Sequence, residues 1–284
     1  MTSATKAEEP ERESEDAPER ESADREVAAG EASGVVELHA LSKAFGRTVA
    51  VDRIDLRVRE GTFCGIIGPN GAGKTTTLSM MTGLLTPDTG RVLVHGIDVW
   101  KDPAAAKRLI GVLPDRLRLF DRLTGAQFLA YAAALRGVSR ATARQRILEL
   151  AEALGLSDAL ERLISDYSAG MAKKVALAGA MIHAPRVLVL DEPFESVDPV
   201  SSAAVITVLR RFVAGGGTVV LSSHGLDFIE RVCDDVAVIV GGRVLASGSV
   251  AEVAGAGTLE ERFVELAGGK QIAEGLQWLH DFSG

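Results

Sequence analysis

The densest group of chemically capable residues lies in "GIIGPNGAGKTTTL", residues 65–78. Gly68 is followed by four residues and then by Gly73, Lys74 and Thr75, between an apolar run and a helix-like stretch. Glycines let backbone N–H groups curl around an anion, while Lys74 can reach outer phosphates and Thr75 can offer its hydroxyl to Mg²⁺. The segment predicts a loop that binds nucleotide phosphates. Its assigned residues are Gly68, Pro69, Asn70, Gly71, Ala72, Gly73, Lys74, Thr75 and Thr76.

Two further apolar runs deliver polar side chains at their ends. "RVLVLDEP" ends in Asp191 and Glu192, and "TVVLSSHGL" runs into His224. Open α/β sheets bind ligands at the carboxyl ends of their strands, so these side chains are expected near the loop. Asp191 would hold Mg²⁺, Glu192 would polarise a water for in-line attack on the γ-phosphate, and His224 would bond the γ-phosphate and that water. We assign catalytic roles to Glu192, His224 and Lys74.

A third acid stands at the end of an apolar run in "IGVLPDRL", residues 110–117. The run resembles a short strand, the proline stops it, and Asp115 follows. From these eight residues alone, Asp115 can be a metal ligand, a base, a partner contact or a solvated turn residue.

The order of elements predicts the fold class. Short apolar runs bounded by Gly, Asp or Pro alternate with stretches of helical spacing, which indicates an α/β fold with a largely parallel sheet. No strand is evident between Asp115 and His183, so a helical lobe is expected at about 115–183. Predicted strands are "VVELHAL", "IDLRVRE", "TFCGIIG", "RVLVHG", "RVLVLDE", "TVVLSS" and "VAVIVGG"; predicted helices are "GKTTTLSMMTGLL", "AQFLAYAAALRG", "ATARQRILELAEALG", "AGMAKKVALAGAMIH" and "PVSSAAVITVLRRFVAGGG".

Composition divides the chain into three parts. Residues 1–34 hold 11 acidic and four basic residues and few apolar ones, which predicts a disordered acidic tail with a net charge of −7. The −8 of the whole chain leaves −1 for the rest, and a near-neutral body argues against nucleic-acid binding. The main domain is predicted at 35–250, followed by a short helical appendix at 251–284.

Two classes of protein are disfavoured by what the sequence lacks. Cys64 and Cys233 are its only cysteines, too few for a disulfide framework or a zinc cluster, which fits a reducing cytoplasm. The sequence has no run of about 18 apolar residues and no secretion signal. If the protein acts at a membrane, it is expected to do so through a partner protein.

The segment "DYSAGMAKK" narrows the family. Ser168, Ala169, Gly170 and Met171 precede a predicted helix and resemble the signature of ATP-binding cassette (ABC) proteins, usually Ser-Gly-Gly-Gln. The resemblance covers about residues 35–248, where the phosphate loop, signature, Asp-Glu strand and His follow the family's order. It implies a P-loop NTPase domain with an antiparallel N-terminal β portion and an inserted helical subdomain.

The resemblance also implies roles for residues outside these motifs. Phe45 stands where the family has an aromatic residue that stacks on adenine, although a core Phe is the alternative. Ser168, Gly170 and Met171 would cap the γ-phosphate of ATP bound by a second cassette, and Asp198 would signal between the two sites. ATP would then be hydrolysed only in a dimer.

Three motifs depart from the family's pattern. Ala169 replaces the second signature Gly, and Ser196-Val197-Asp198 stands where Gly-Leu-Asp is usual. Asp115 falls where the family carries Gln, which meets Mg²⁺ and the attacking water. Asp115 can still bind Mg²⁺, but it adds negative charge beside the triphosphate, so a slower site is predicted, with partner contact retained through "RLRLFDRLTG". Two roles remain open for Asp115: it is a metal ligand, or it is kept for contact with the partner.

The resemblance implies an ATPase subunit that powers a separately encoded integral membrane permease, in most respects like an exporter cassette. ATP and Mg²⁺ are the implied cofactors, and a second nucleotide-binding subunit, identical or different, is the implied partner. The chain would be cytoplasmic, held at the inner face of the membrane by its partner. The alternatives are a soluble ABC ATPase acting on nucleic acid or ribosomes, and a slowly hydrolysing regulatory cassette.

Overall fold

The computed structural model describes Met1 and residues 34–268. The predicted disordered tail lies outside the described residues except at its two ends. Residues 269–284 of the predicted helical appendix lie outside them as well.

Ten strands and nine α-helices are present in the described part of the chain. The strands are β1 Val36–Phe45, β2 Thr48–Val58, β3 Phe63–Ile67, β4 Thr89–Val94, β5 Ile97–Asp98, β6 Ile110–Leu113, β7 Val187–Leu190, β8 Thr218–Ser223, β9 Asp235–Val240 and β10 Arg243–Ser249. The helices are α1 Lys74–Met81, α2 Pro103–Leu109, α3 Gly125–Leu135, α4 Arg140–Ala153, α5 Ala169–Met181, α6 Pro199–Ala214, α7 Leu226–Val232, α8 Val250–Ala254 and α9 Leu259–Leu266.

Four strands form an antiparallel sheet in the N-terminal part of the body. Its order is β2-β1-β4-β5, and β1 and β2 form a hairpin closed by the pair Phe45 and Thr48. Gly46 makes the tight turn with φ of 60°, a left-handed conformation that costs glycine little. The expected antiparallel N-terminal portion is confirmed.

Six strands form the central sheet in the order β10-β9-β3-β8-β7-β6. All neighbours pair in parallel except β10, which runs antiparallel to β9 at one edge. Every residue of β3 and β7 is buried, as expected for parallel strands covered on both faces. Along β7, Val187 and Val189 face one apolar cluster while Leu188 and Leu190 face the other. The predicted largely parallel α/β core is confirmed.

Three helices lie between β6 and β7, in the segment where a helical lobe was predicted. The side chains of Thr124, Ser139 and Ser168 each accept a hydrogen bond from a first-turn N–H of α3, α4 and α5. Such N-caps define where these helices begin. The helices pack through small and aliphatic residues, including Leu129 of α3 and Ile147 of α4, which join the same apolar cluster as Leu188.

Several elements were not anticipated from the sequence. They are the two-residue strand β5, the edge strand β10 and the short helices α2, α7 and α8. Helices of five to seven residues show too little periodicity to be recognised. The strand β10 was missed because "RVLASGS" is mostly half-exposed and contains small residues. Helix α1 is also shorter than predicted, ending before Gly83, whose φ is 71°. None of the helices in the described ranges is long and apolar enough to cross a membrane.

Candidate functional site

The phosphate-loop segment connects the end of β3 with the start of α1. Gly73 caps α1 with φ of 102°, and a Cβ there would lie 2.4 Å from the Ala50 carbonyl oxygen. A Cβ at Gly68 would lie 2.1 Å from the Ile239 carbonyl oxygen. Both positions therefore require glycine. Among the described residues no side chain caps α1, so its first-turn N–H groups remain available to an anion.

Lys74 lies inside the curl of this loop. Its ammonium donates to the carbonyl oxygens of Gly68, at 2.7 Å, and Pro69, at 3.3 Å, and the residue is only 8% exposed. A buried ammonium at the loop and the positive end of α1 favour negative charge at the same place. The segment can bind phosphate groups.

A cleft of about 760 Å³ opens above the loop and brings distant parts of the chain together. All nine residues assigned to the loop line it. Phe45, Asp115, Glu192 and His224, each predicted as a site residue, line it too. Phe45 is 51% exposed, so the alternative of a core Phe is wrong and its ring is accessible to a ligand.

The three predicted metal ligands lie around one small adjoining cavity. Thr75, Asp115 and Asp191 all line this space of about 200 Å³. Asp191 is 5% exposed and accepts a hydrogen bond of 2.5 Å from the Ser222 hydroxyl. Hydroxyl and carboxylate oxygens suit Mg²⁺. Within the described ranges, no group of three or more His, Cys, Asp or Glu side chains is placed to hold a metal ion.

Glu192 lines the cleft together with the loop and pairs there with His224. Its carboxylate oxygen Oε2 lies 3.1 Å from His224 Nδ1, and the His224 side chain is 66% exposed. The Glu192 backbone is left-handed, with φ of 46°, and its N–H donates to the Ser222 hydroxyl at 2.9 Å. Ser222 therefore supports both acids of the Asp-Glu pair. A carboxylate paired with an imidazole can receive a proton from a water molecule.

Four predicted site residues line neither the cleft nor the small cavity. Ser168, Gly170 and Met171 stand at the start of α5, where the Ser168 hydroxyl accepts from the Met171 N–H at 3.2 Å. Asp198 caps α6 and accepts from the N–H groups of Val200 and Ser201. These hydrogen bonds hold the pKa of Asp198 below its ordinary value. Within its own chain, Asp198 acts as a helix cap.

The structure adds residues that sequence reasoning missed. Glu195 and Phe263 line the cleft, and Ser222 bonds the two acids. Lys173 of α5 donates a hydrogen bond of 2.5 Å to the Glu192 carbonyl oxygen. Ser222 could have been recognised from the sequence, because a hydroxyl in an otherwise apolar strand needs a buried partner. Nothing in the sequence pointed to Lys173 or Phe263, because only tertiary structure brings α5 and α9 near the cleft.

Comparison with known proteins agrees with this geometry. The family profile described as "ABC transporter" matches residues 51–195. The daunorubicin/doxorubicin resistance ATP-binding protein DrrA of Streptomyces peucetius is 40% identical over 77% of this chain and 66% of its own length. The linearmycin resistance ATP-binding protein LnrL of Bacillus subtilis is 32% identical over 74% of this chain and 67% of its own length. The chain thus spans about two thirds of the length of these relatives.

A solved structure shows the same fold. A structure titled as the ATP binding subunit of an ABC transporter superposes with a TM-score of 0.77 and 29% identity, over 82% of this chain and 99% of that one. The loop, Glu192 and His224 converge on one cleft of this fold, and Asp191 lines the small cavity beside it. Since the family profile covers more than half of the chain, the chain belongs to the ABC transporter family.

Proposed function

We propose that this chain binds ATP with Mg²⁺ in the cleft, hydrolyses it, and powers a separately encoded membrane permease that exports its substrate. The observation that carries the proposal is the convergence of the phosphate loop, Glu192 and His224 on one cleft. The relatives named for antibiotic resistance support an exporter. An antibiotic-like molecule is the substrate class that those names favour.

Binding would use the loop and the exposed aromatic ring. The loop N–H groups and Lys74 hold the phosphates, with the Lys74 ammonium exchanging its carbonyl partners for phosphate oxygens. Phe45 stacks on the base, a contact worth about 1–3 kcal/mol in comparable sites. When bound at Thr75, Asp191 and Asp115, Mg²⁺ would neutralise charge on the outer phosphates.

Hydrolysis would use the Glu192 and His224 pair. Glu192 accepts the proton of a water that attacks the γ-phosphate in line. His224 bonds Glu192 through Nδ1, which leaves Nε2 as its atom for the γ-phosphate. Asp191, held by Ser222, keeps its oxygens directed by a buried hydrogen bond.

The composite site needs a second chain. Ser168, Gly170 and Met171 lie outside the cleft of their own chain, as the family resemblance implies for residues that act on a partner's ATP. The Gly170 position supports this, because a Cβ there would meet its nearest neighbour, the Ser196 carbonyl oxygen, only at 3.9 Å. Small residues here leave a helix terminus open to an anion from another subunit.

The permease would dock on the lobe beside Asp115. A groove there is lined by apolar side chains that include Leu117, Leu119 and Phe128. Phe120 and Tyr131 are exposed and pack edge to face at 5.4 Å. Exposed apolar surface of this kind marks an interaction site. Through the permease, the chain would lie at the cytoplasmic face of the membrane.

The test of the hydrolytic role is Glu192→Gln. We expect kcat to fall about 10²- to 10⁴-fold, the usual contribution of a positioned base, with ATP affinity unchanged. The control is Glu260→Gln, an exposed acid on α9, which should keep parental turnover. A Glu192→Gln chain as fast as the parent would exclude Glu192 as the base.

A second experiment tests the partner class. Purification of the tagged chain from solubilised membranes should recover an integral membrane protein of several spans. Recovery of ribosomes or DNA in its place would favour the soluble ABC ATPase instead.

A further inference from the structure

Glu192 has a backbone conformation that its neighbours must maintain. Its φ of 46° is left-handed, where the Cβ of an L-residue crowds the following carbonyl oxygen. Non-glycine residues keep such a conformation only where surrounding contacts hold them, commonly at functional sites. The groups that bond the Glu192 peptide therefore control where its carboxylate lies.

Two side chains, from different elements, form hydrogen bonds with the backbone of Glu192. The Ser222 hydroxyl accepts from the Glu192 N–H at 2.9 Å and belongs to β8 of the central sheet. The Lys173 ammonium donates to the Glu192 carbonyl oxygen at 2.5 Å and belongs to α5 of the lobe. Lys173 is therefore a direct link between the lobe and the main chain of Glu192.

The surroundings of Lys173 keep its ammonium at this place. Its side chain is only 11% exposed, and Glu195 Oε2 lies 3.9 Å away. Burial lowers the pKa of Lys173, while the carboxylates of Glu195, Asp115, Glu192 and Asp191 oppose that change. The ammonium of Lys173 is thus largely buried, and nearby carboxylates favour its charged form.

We propose that Lys173 is a positioning residue that holds the Glu192 peptide, and so directs the Glu192 carboxylate toward His224 and the attacking water. Movement of α5 with the lobe then moves the base. The role rests on the proposed ATPase function and deepens it, because it makes the lobe's position a condition for hydrolysis.

The alternative is a purely structural contact between α5 and the sheet. Such a contact would change the melting temperature and affect binding and turnover alike. A positioning role predicts a loss in kcat with ATP affinity unchanged, since Lys173 touches the base and not the loop.

The test uses Lys173→Met in the full chain. We expect kcat to fall about 10- to 100-fold, the scale of small misplacements of a catalytic group, with KM for ATP within about twofold of the parent. Lys173→Arg retains charge and donors and should recover much of the rate. Lys174→Met, the same change at the next residue of α5, should leave kcat and KM unchanged.

Combination with Glu192→Gln separates the two explanations. If Lys173 acts through Glu192, Lys173→Met should cause no further loss of residual turnover in the Glu192→Gln background. Independent, multiplied losses would overturn the proposal, as would a Lys173→Met chain with parental kcat or Lys173→Arg no better than Lys173→Met. Lack of any ATPase activity in the parent would overturn the proposed function itself, and this role with it.

Discussion

At the scale of single residues, Asp115 is one of the departures from the family's pattern. The residue is half-buried and lines both the cleft and the small cavity around Asp191. Its acid thus stands beside the space that a triphosphate would fill, with Lys173 as a nearby cation. The metal-ligand role of Asp115 stays a prediction, and nothing in the sequence indicated that its charge would act on Lys173 of α5.

Asp115→Gln should leave ATP binding intact and raise turnover a few-fold. The change removes the repulsion between the Asp115 carboxylate and the triphosphate, which is about 1 kcal/mol when solvent partly screens the charges. Steady-state kcat at saturating Mg²⁺ and ATP, together with the affinity for a fluorescent ATP analogue, gives the answer. A fall in kcat would contradict this prediction and show that turnover requires the Asp115 carboxylate.

The two cysteines should be unreactive in the folded chain. Both Cys64 and Cys233 are buried free thiols. Burial raises the pKa of Cys64 strongly and raises the pKa of Cys233 to about 12. The thiolate is the reactive form, so a chromogenic thiol reagent at pH 8 should label neither residue before unfolding and both after it. Rapid labelling of the native chain would contradict this burial.

At the scale of elements, His183 ties the end of α5 to β6. Its Nε2 lies 3.2 Å from the Ile110 carbonyl oxygen, and its Nδ1 is buried without a partner in the described part of the chain. Burial, with Arg136 and Arg146 adding to its effect, lowers the pKa of His183 to about 4, although the bond to Ile110 opposes the change. Protonation would place an unpaired N–H in an apolar site.

This shift predicts a pH dependence of stability. The unfolded chain has His183 near its ordinary pKa of 6.5, so between that value and about 4 the unfolded state binds more protons than the folded state. The free energy of unfolding should therefore fall as pH drops through this window, by about 1–2 kcal/mol after allowance for partial exposure.

Denaturant unfolding at several pH values checks this prediction. His183→Gln should flatten the slope between pH 6.5 and 4, whereas His95→Asn, at an exposed turn between β4 and β5, should keep it. An unchanged slope in His183→Gln would assign the pH dependence to another group.

At the scale of the whole molecule, the proposed composite site takes its parts from two chains. The phosphate loop and Glu192 lie in one cleft, while Ser168 and Gly170 are outside it. In a two-fold dimer each chain can offer its own cleft and its own signature residues to the other.

Mixing two inactive variants tests this arrangement. Lys74→Ala removes the ammonium that binds phosphate in the cleft. Gly170→Asp adds a negative charge at the start of α5, where the structure has room for a side chain, so each variant alone should be nearly inactive. An equal mixture should recover roughly a quarter of parental turnover, because half the dimers are mixed and each has one intact composite site. Failure to recover activity from variants that still bind each other would contradict the shared site.

How much the sequence revealed depends on how local each signal is. The phosphate loop, the Asp-Glu strand end and the signature segment are short patterns with local causes, such as glycines at close approaches and hydroxyls at helix starts. Their order predicted the family and the α/β fold. The edge strand β10 and the short helices α2, α7 and α8 were not predicted, because packing stabilises them and their sequences show no clear periodicity.

The sequence by itself determined which residues can bind phosphate, coordinate a metal and accept a proton, since those abilities belong to the side chains. Only the tertiary structure decided their use. It brings Asp115, Glu192 and His224 from three strand ends to one cleft, and it assigns Asp198 to a helix cap. It also places Lys173 of the lobe on the Glu192 carbonyl, a contact between residues 19 positions apart. Such contacts form when separate elements pack together, and no spacing along the chain encodes them.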